Sequence, residues 1–315
     1  MIKESTSAPG RPGWVPAFVA LAVLWGCSFA LVHVGLRALT PVQVAFWRLA
    51  LGASTLLVVS AATRTRLPRG RRTWAHLLVL AALLNAAPFT LFAVGQQSVS
   101  SVLAGIINAT TPLATLLVIL VAFREERPTR RRTTGLLTGF VGVAVVLGVW
   151  RGLAAGELTG VLACLGAVAC YGVAFPYARR HLASSGARPV ALATAQVLLA
   201  TGLMLPVLAL SGTTPTAPPT PTVVAAMVAL GALCSGLAYV LNFHVVAARG
   251  ASTASSVTYL TPVVAAVVGV AFLGEHLRWN QPLGAGLVLV GIAVSQGHRF
   301  PGRAAPGRRG PRRTP

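Results

Sequence analysis

The chain has 315 residues, 55% of them hydrophobic and only 10% charged, with a mean hydropathy of +0.75. A soluble domain carries about 25% charged residues, so water is excluded as the main solvent of this chain. The formal net charge of +21 would suggest nucleic acid in a soluble protein, but the basic residues sit between apolar segments, so no nucleic-acid partner is expected.

A bilayer core about 30 Å thick needs roughly 20 apolar residues per helix, at about 1.5 Å each. After an N-terminal tail, residues 1–13, apolar segments lie at 14–36, 41–61, 74–94, 98–123 and 134–149. Five more follow at 158–177, 189–210, 223–246, 252–273 and 282–295. The pattern predicts an all-α integral membrane protein of about ten transmembrane helices, the fifth and tenth being the shortest. The first segment is not read as a signal peptide, because its local pattern returns in mid-chain. RTRLPRGRRT from Arg64, REERPTRRRTT from Arg124 and SGTTPTAPPTPT from Ser211 read as loops. Residues 298–315, rich in Pro, Gly and Arg, are expected to form a basic disordered tail.

The basic residues orient the chain. With a cytoplasmic N-terminus, 22 of the 26 fall in the tails and the inside loops, and Arg37, Arg151 and Arg278 fall outside. Arg48 is left within a helix. By the positive-inside rule both termini then face the cytoplasm of a multi-pass cell membrane protein. Cys27, Cys164, Cys170 and Cys234 lie singly in apolar runs, so they read as packing residues rather than disulfides or metal ligands. No metal and no cofactor is expected.

The second half of the chain repeats the first. Trp25-Gly26-Cys27-Ser28-Phe29 matches Tyr171-Gly172-Val173-Ala174-Phe175, 146 residues later. Pro41 and Pro189 each open a segment, with Arg48 and Gln196 seven residues beyond. Thr111-Pro112 matches Thr261-Pro262, and Glu125 and Glu275 each stand 13 residues after their proline. Gly135 and Gly142 correspond to Gly284 and Gly291. The offsets of 146, 148, 150 and 149 differ only by small loop changes, so duplication is the simplest explanation. The predicted units are a first five-helix repeat at 14–149 and a second at 150–297. An odd number of helices makes the second enter from the opposite side, the inverted arrangement of secondary transporters, whose site lies near mid-membrane.

Two stretches also carry a family resemblance. SVLAGIINATTPLATLLVILVAFREERPTRRRTTGLLTGFVGVAVVL and ASTASSVTYLTPVVAAVVGVAFLGEHLRWNQPLGAGLVLVGIAV resemble the two copies of the closing signature of EamA-type proteins, in the drug/metabolite transporter superfamily. LWGCSF is similar to that family's opening helix. The resemblance implies a ten-helix inverted-repeat fold and export of metabolites, amino acids or drugs, without fixing the substrate. It also places Glu125 and Glu275 at helix ends. There they read as topology-setting residues that pair with neighbouring arginines, Glu275 with Arg278 at i, i+3 spacing.

Arg48 is the one charge well inside an apolar segment, where it costs about 2.5 to 3.5 kcal/mol at mid-membrane. It lies roughly 10 Å below the outer end. Two readings stand side by side: a cavity residue that holds a substrate carboxylate, and a structural arginine that bonds helix-end carbonyls. The other substrate-binding candidates are Trp25, Asn85, Asn108, Tyr171, Gln196, Tyr239, Asn242 and Tyr259, polar or aromatic groups at membrane depth that line a cavity or join helices. The chain has no Asp, and Glu4, Glu125, Glu126, Glu157 and Glu275 are terminal or in loops, so no buried acid is available for proton coupling. His33 and His244 are the remaining titratable candidates. The face Gly135-Leu-Leu-Thr-Gly139 suits close helix contact, either inside the bundle or in a homodimer.

An embedded enzyme needs a nucleophile with its base, a carboxylate pair or a metal cluster at depth, and the sequence offers none. The function expected is therefore a secondary transporter that exports a small metabolite, such as an amino acid, by alternating access. The alternatives are a broad drug or toxin exporter and a channel or scaffold.

Overall fold

The computed structural model describes residues 13–122, 129–152, 154–182 and 186–296. Glu125, Glu126 and the tail at 298–315 lie outside them. Among the described residues the chain is helical, with no strand. Eight helices are long and apolar enough to cross a membrane: α1 (Trp14–Gly35), α2 (Pro41–Ala62), α3 (Arg71–Gly95), α4 (Ser101–Val121), then α6 (Ala155–Leu182), α7 (Pro189–Ser211), α8 (Pro221–Gly250) and α9 (Thr253–Leu273). Two shorter helices, α5 (Arg130–Leu147) and α10 (Asn280–Gln296), stand where the fifth and tenth segments are expected.

Several helices run further than their apolar cores. α3 takes in Arg71 and Arg72, and α6 takes in Arg179, Arg180 and His181. Arginine stems lie along apolar surface while the heads reach water, so these charges do not end a helix. Helix starts are set instead by capping. Thr40 accepts the Gln43 amide while the Gln43 side chain accepts the Thr40 amide, and Ser100 accepts from Leu103. Where φ turns positive, at Gly250 (85°), the helical path breaks between α8 and α9.

Two helices locally widen into π-helix, at residues 82–86 of α3 and 229–237 of α8. In α3 the cause is Pro88, which has no N–H to offer the Leu84 carbonyl; Ala87 reaches back to Ala82 instead. In α8 the Ser235 hydroxyl donates to the Leu230 carbonyl at 3.2 Å, and Ala238 reaches back to Leu233. Such insertions change the facing of the side chains around them, and they are frequent at functional sites.

Contacts sort the helix termini into two ends. At one, the Glu275 carboxylate after α9 meets the start of α4. There too Gly35 of α1 packs against Val44 of α2 and Met227 of α8, and Gly95 of α3 against Gly160 of α6. At the other end His76 of α3 bonds Tyr177 of α6 at 2.8 Å, and its ring stacks on His181 at 4.4 Å. Here the Ser60 hydroxyl of α2 meets that of Thr194 of α7 at 2.9 Å. Arg249 of α8 covers Trp14 of α1 at 4.7 Å. α1 thus starts at the His181 end and α6 at the Glu275 end.

α5 and α10 pack through glycine. A Cβ on Gly135 would sit 2.6 Å from the Gly291 carbonyl, and one on Gly142 would sit 2.7 Å from the Val288 amide. The glycine face that sequence left open between bundle packing and a homodimer is therefore occupied within the chain, by α10. Asn280 closes this pair by donating to the Val145 and Val146 carbonyls at 3.0 and 2.9 Å. Large apolar side chains point outward, Leu210 at 90% and Phe272 at 80% exposure, a surface that a bilayer covers and water does not. Trp150 and Trp279, stacked at 5.8 Å near the Glu275 end, suit a membrane interface.

Candidate functional site

The two π-helical segments face one polar cluster. On α3, Asn85 is fully buried, and its amide donates to the Tyr239 hydroxyl of α8 at 3.0 Å. Its carbonyl oxygen accepts from Gln196 of α7 at 2.5 Å. On α8, Ser235 accepts from Nε of Arg48 at 3.0 Å. The Arg48 guanidinium lies 3.7 Å above the Phe89 ring of α3. A cation over an aromatic face is attracted to the ring's negative quadrupole, by about 2 kcal/mol when desolvated.

Among the described residues Ser235 is the hydrogen-bond partner of Arg48, and no carboxylate pairs with it. Among the described residues its Nη1 and Nη2 make no protein hydrogen bond. The electrostatic neighbours of Arg48 are the Tyr171 and Tyr239 hydroxyls and the Cys234 thiol. Tyr171 of α6 stands 6.2 Å from Phe92 and 6.2 Å from Phe175, and Tyr239 stacks on Phe243 at 6.3 Å. The result is a cationic fork with amide and hydroxyl groups, walled by aromatic rings.

The cluster repeats itself along the chain. Gln196 follows Arg48 by 148 residues, while Ser235 follows Asn85 and Tyr239 follows Phe89 by 150. The contact from α2 to α8 through Arg48 and Ser235 thus has its counterpart from α7 to α3 through Gln196 and Asn85.

Of the nine candidates, the structure brings together Arg48, Asn85, Tyr171, Gln196 and Tyr239. Trp25 is half-buried against Leu21, Ala22, Ala238 and Val257. Asn108 and Asn242 are half-buried, and among the described residues their side-chain amides have no protein hydrogen bond. Tyr259 stands apart. It packs beside Leu113, Val288 and Ile292, and its hydroxyl donates to Gln296 of α10.

Sequence reasoning missed Ser235 and Phe89, which hold the guanidinium. A serine within ALCSG reads as a small packing residue; the signal that finds it is the 150-residue offset from Asn85. Glu275 needs a correction. Its carboxylate accepts the Ser101 and Val102 amides at 2.8 and 3.0 Å, capping α4, and among the described residues it does not pair with Arg278. Gly274, at φ 66°, ends α9 just before it, so helical i, i+3 spacing does not apply.

The model of the EamA-like transporter family matches residues 13–148 and again residues 158–296. The chain belongs to the EamA-like transporter family. It is a multi-pass cell membrane transporter. It is 26% identical over 276 residues to the uncharacterized transporter YdfC of Bacillus subtilis (strain 168), covering 85% of each protein. It is 29% identical over 304 residues to a probable terminal-alkyne amino-acid exporter of Streptantibioticus cattleyicolor, covering 93% of this chain and 97% of that one. A solved crystal structure superposes with a TM-score of 0.65 at 22% identity, over 90% of this chain and 98% of its own. That likeness shows the fold alone.

Proposed function

We propose that this EamA-family chain is a secondary transporter that exports a small carboxylate-bearing metabolite of the amino-acid type by alternating access. All ten helices cross the membrane as two oppositely oriented repeats, 14–149 and 150–297, with both termini in the cytoplasm. The observation that carries the substrate reading is Arg48, a cation at membrane depth with no carboxylate partner among the described residues and free Nη donors. A guanidinium fork fits a carboxylate in bidentate geometry. The rings of Phe89, Tyr171 and Tyr239 accept an apolar or aromatic body beside it. The relative named as a probable amino-acid exporter supports the same class.

The opposite starting ends of α1 and α6, the two family matches and the doubled polar contact support the inverted arrangement. The guanidinium works against lipophilic cations, so broad export of cationic drugs ranks below this reading. Transport is tested in proteoliposomes with a panel of amino acids, nucleosides and cationic dyes. Saturable flux of carboxylates and not of dyes is expected; the absence of saturable flux for every compound would refute transport. Topology is tested with a cysteine placed in the 211–222 loop, which a membrane-impermeant maleimide should label only from outside.

A further inference from the structure

Equivalent residues of the two halves are packed differently at the two ends. At the Glu275 side of the cluster Phe29 of α1 and Phe92 of α3 meet edge to face at 5.7 Å, and they are 7% and 4% exposed. Phe29 also lies against α4, where a Cβ on buried Gly105 would come 3.5 Å from its ring. Glu275 holds the start of α4 in this position through the amides of Ser101 and Val102.

The same positions of the second half lie 146 residues on from Phe29 and 150 on from Phe92 and Gly105: Phe175, Asn242 and Ser255. They are more exposed. Phe175 is 49% exposed and its ring meets only Tyr171 among the described aromatic residues. Asn242 is half-buried and Ser255 is exposed. An aromatic side chain at one helix position is thus packed in one half and open in the other, although the sequence around it is repeated. Two packings of one motif, one closed and one open, are what a two-state element requires.

Resting on the transport reading above, we infer that Phe29 with Phe92 and Gly105 forms the outer gate, and that Phe175 with Asn242 and Ser255 forms the inner gate. The structure is then the cytoplasm-open state. In the opposite state Phe175 packs onto Asn242 and Ser255, and Phe29 swings clear of Gly105. The Arg48 cluster lies between the two gates and is reached from one side at a time.

The test uses full-length protein in proteoliposomes, with the four native cysteines replaced by serine. A short bifunctional thiol reagent should join Phe29→Cys to Gly105→Cys directly. It should join Phe175→Cys to Ser255→Cys as the protein visits the opposite state. In a triple variant Phe29→Cys, Phe175→Cys, Ser255→Cys, membrane-impermeant maleimide from outside should modify position 29 at least tenfold faster once 175 and 255 are bridged. A reducible bridge should arrest flux, and reduction should restore it. Position 29 remaining protected after bridging would overturn the gate assignment, as would unchanged flux through bridged protein. Reversed accessibility in protein that carries no flux for any substrate would uphold the gates and sink the transport reading, so the two failures are separable.

Discussion

Gln196 Nε2 donates to Asn85 Oδ1 at 2.5 Å, and Arg48 Nε, at the position 148 residues earlier in the chain than Gln196, donates to Ser235 at 3.0 Å. Each contact joins the two halves, and each ends on a π-helical segment. Under the proposed reading, the polar groups that hold the halves together are also the groups offered to a ligand, which would couple binding to the packing between halves.

Asn85→Ala should destabilise the protein by about 1 to 3 kcal/mol, because it leaves the buried Gln196 amide without its acceptor. Thermal unfolding in a mild detergent measures this. Asn85→Asp keeps an acceptor for Gln196 and should unfold closer to wild type. Equal melting of Asn85→Ala and wild type would show that the contact contributes nothing.

Glu275→Ala removes the acceptor of two α4 amides. Loss of a cap costs about 0.5 to 2 kcal/mol. The melting temperature should fall accordingly, whereas Arg278→Ala should leave it within error, because Glu275 caps α4 and does not pair with Arg278. A larger loss from Arg278→Ala would restore the ion-pair reading.

Gly135→Leu should wedge α5 from α10, since a Cβ there meets the Gly291 carbonyl and the Ser295 amide at 2.6 Å. Overpacking costs about 1 to 3 kcal/mol. Gly286→Leu, on the same helix pair with nothing within 4 Å, is the control that should fold normally. Equal yields and melting for the two would remove the close approach from the account.

These contacts mark what the sequence made legible. Apolar length located the helices, because a bilayer imposes it on every span, and the offset of Gln196 from Arg48 exposed their equivalence. What Arg48 touches was not legible: the π-helical turn that aims Ser235 at it arises from backbone hydrogen bonding within α8, and no side-chain pattern announces it. Pro88 did carry a signal for the matching turn in α3, as a missing N–H. The reading of Glu275 failed because it assumed that α9 continues past Gly274.

Flux should persist when the proton gradient is collapsed. The chain has no Asp, and among the described residues Glu157 and Glu275 stand at helix ends away from the cluster, so no described carboxylate is there to carry a proton. Loss of carboxylate flux when a protonophore collapses an imposed proton gradient would contradict this.

The central claim is that Arg48 holds the substrate's carboxylate, and the most direct measurement compares saturable uptake of a carboxylate panel into proteoliposomes of wild type, Arg48→Lys and Arg48→Gln. A bidentate charge-assisted contact is worth about 1.5 to 3 kcal/mol. Half-saturating concentrations should therefore rise about ten- to a hundredfold in Arg48→Gln, and less in Arg48→Lys. An unchanged affinity of Arg48→Gln for every transported carboxylate would show that the guanidinium serves packing alone.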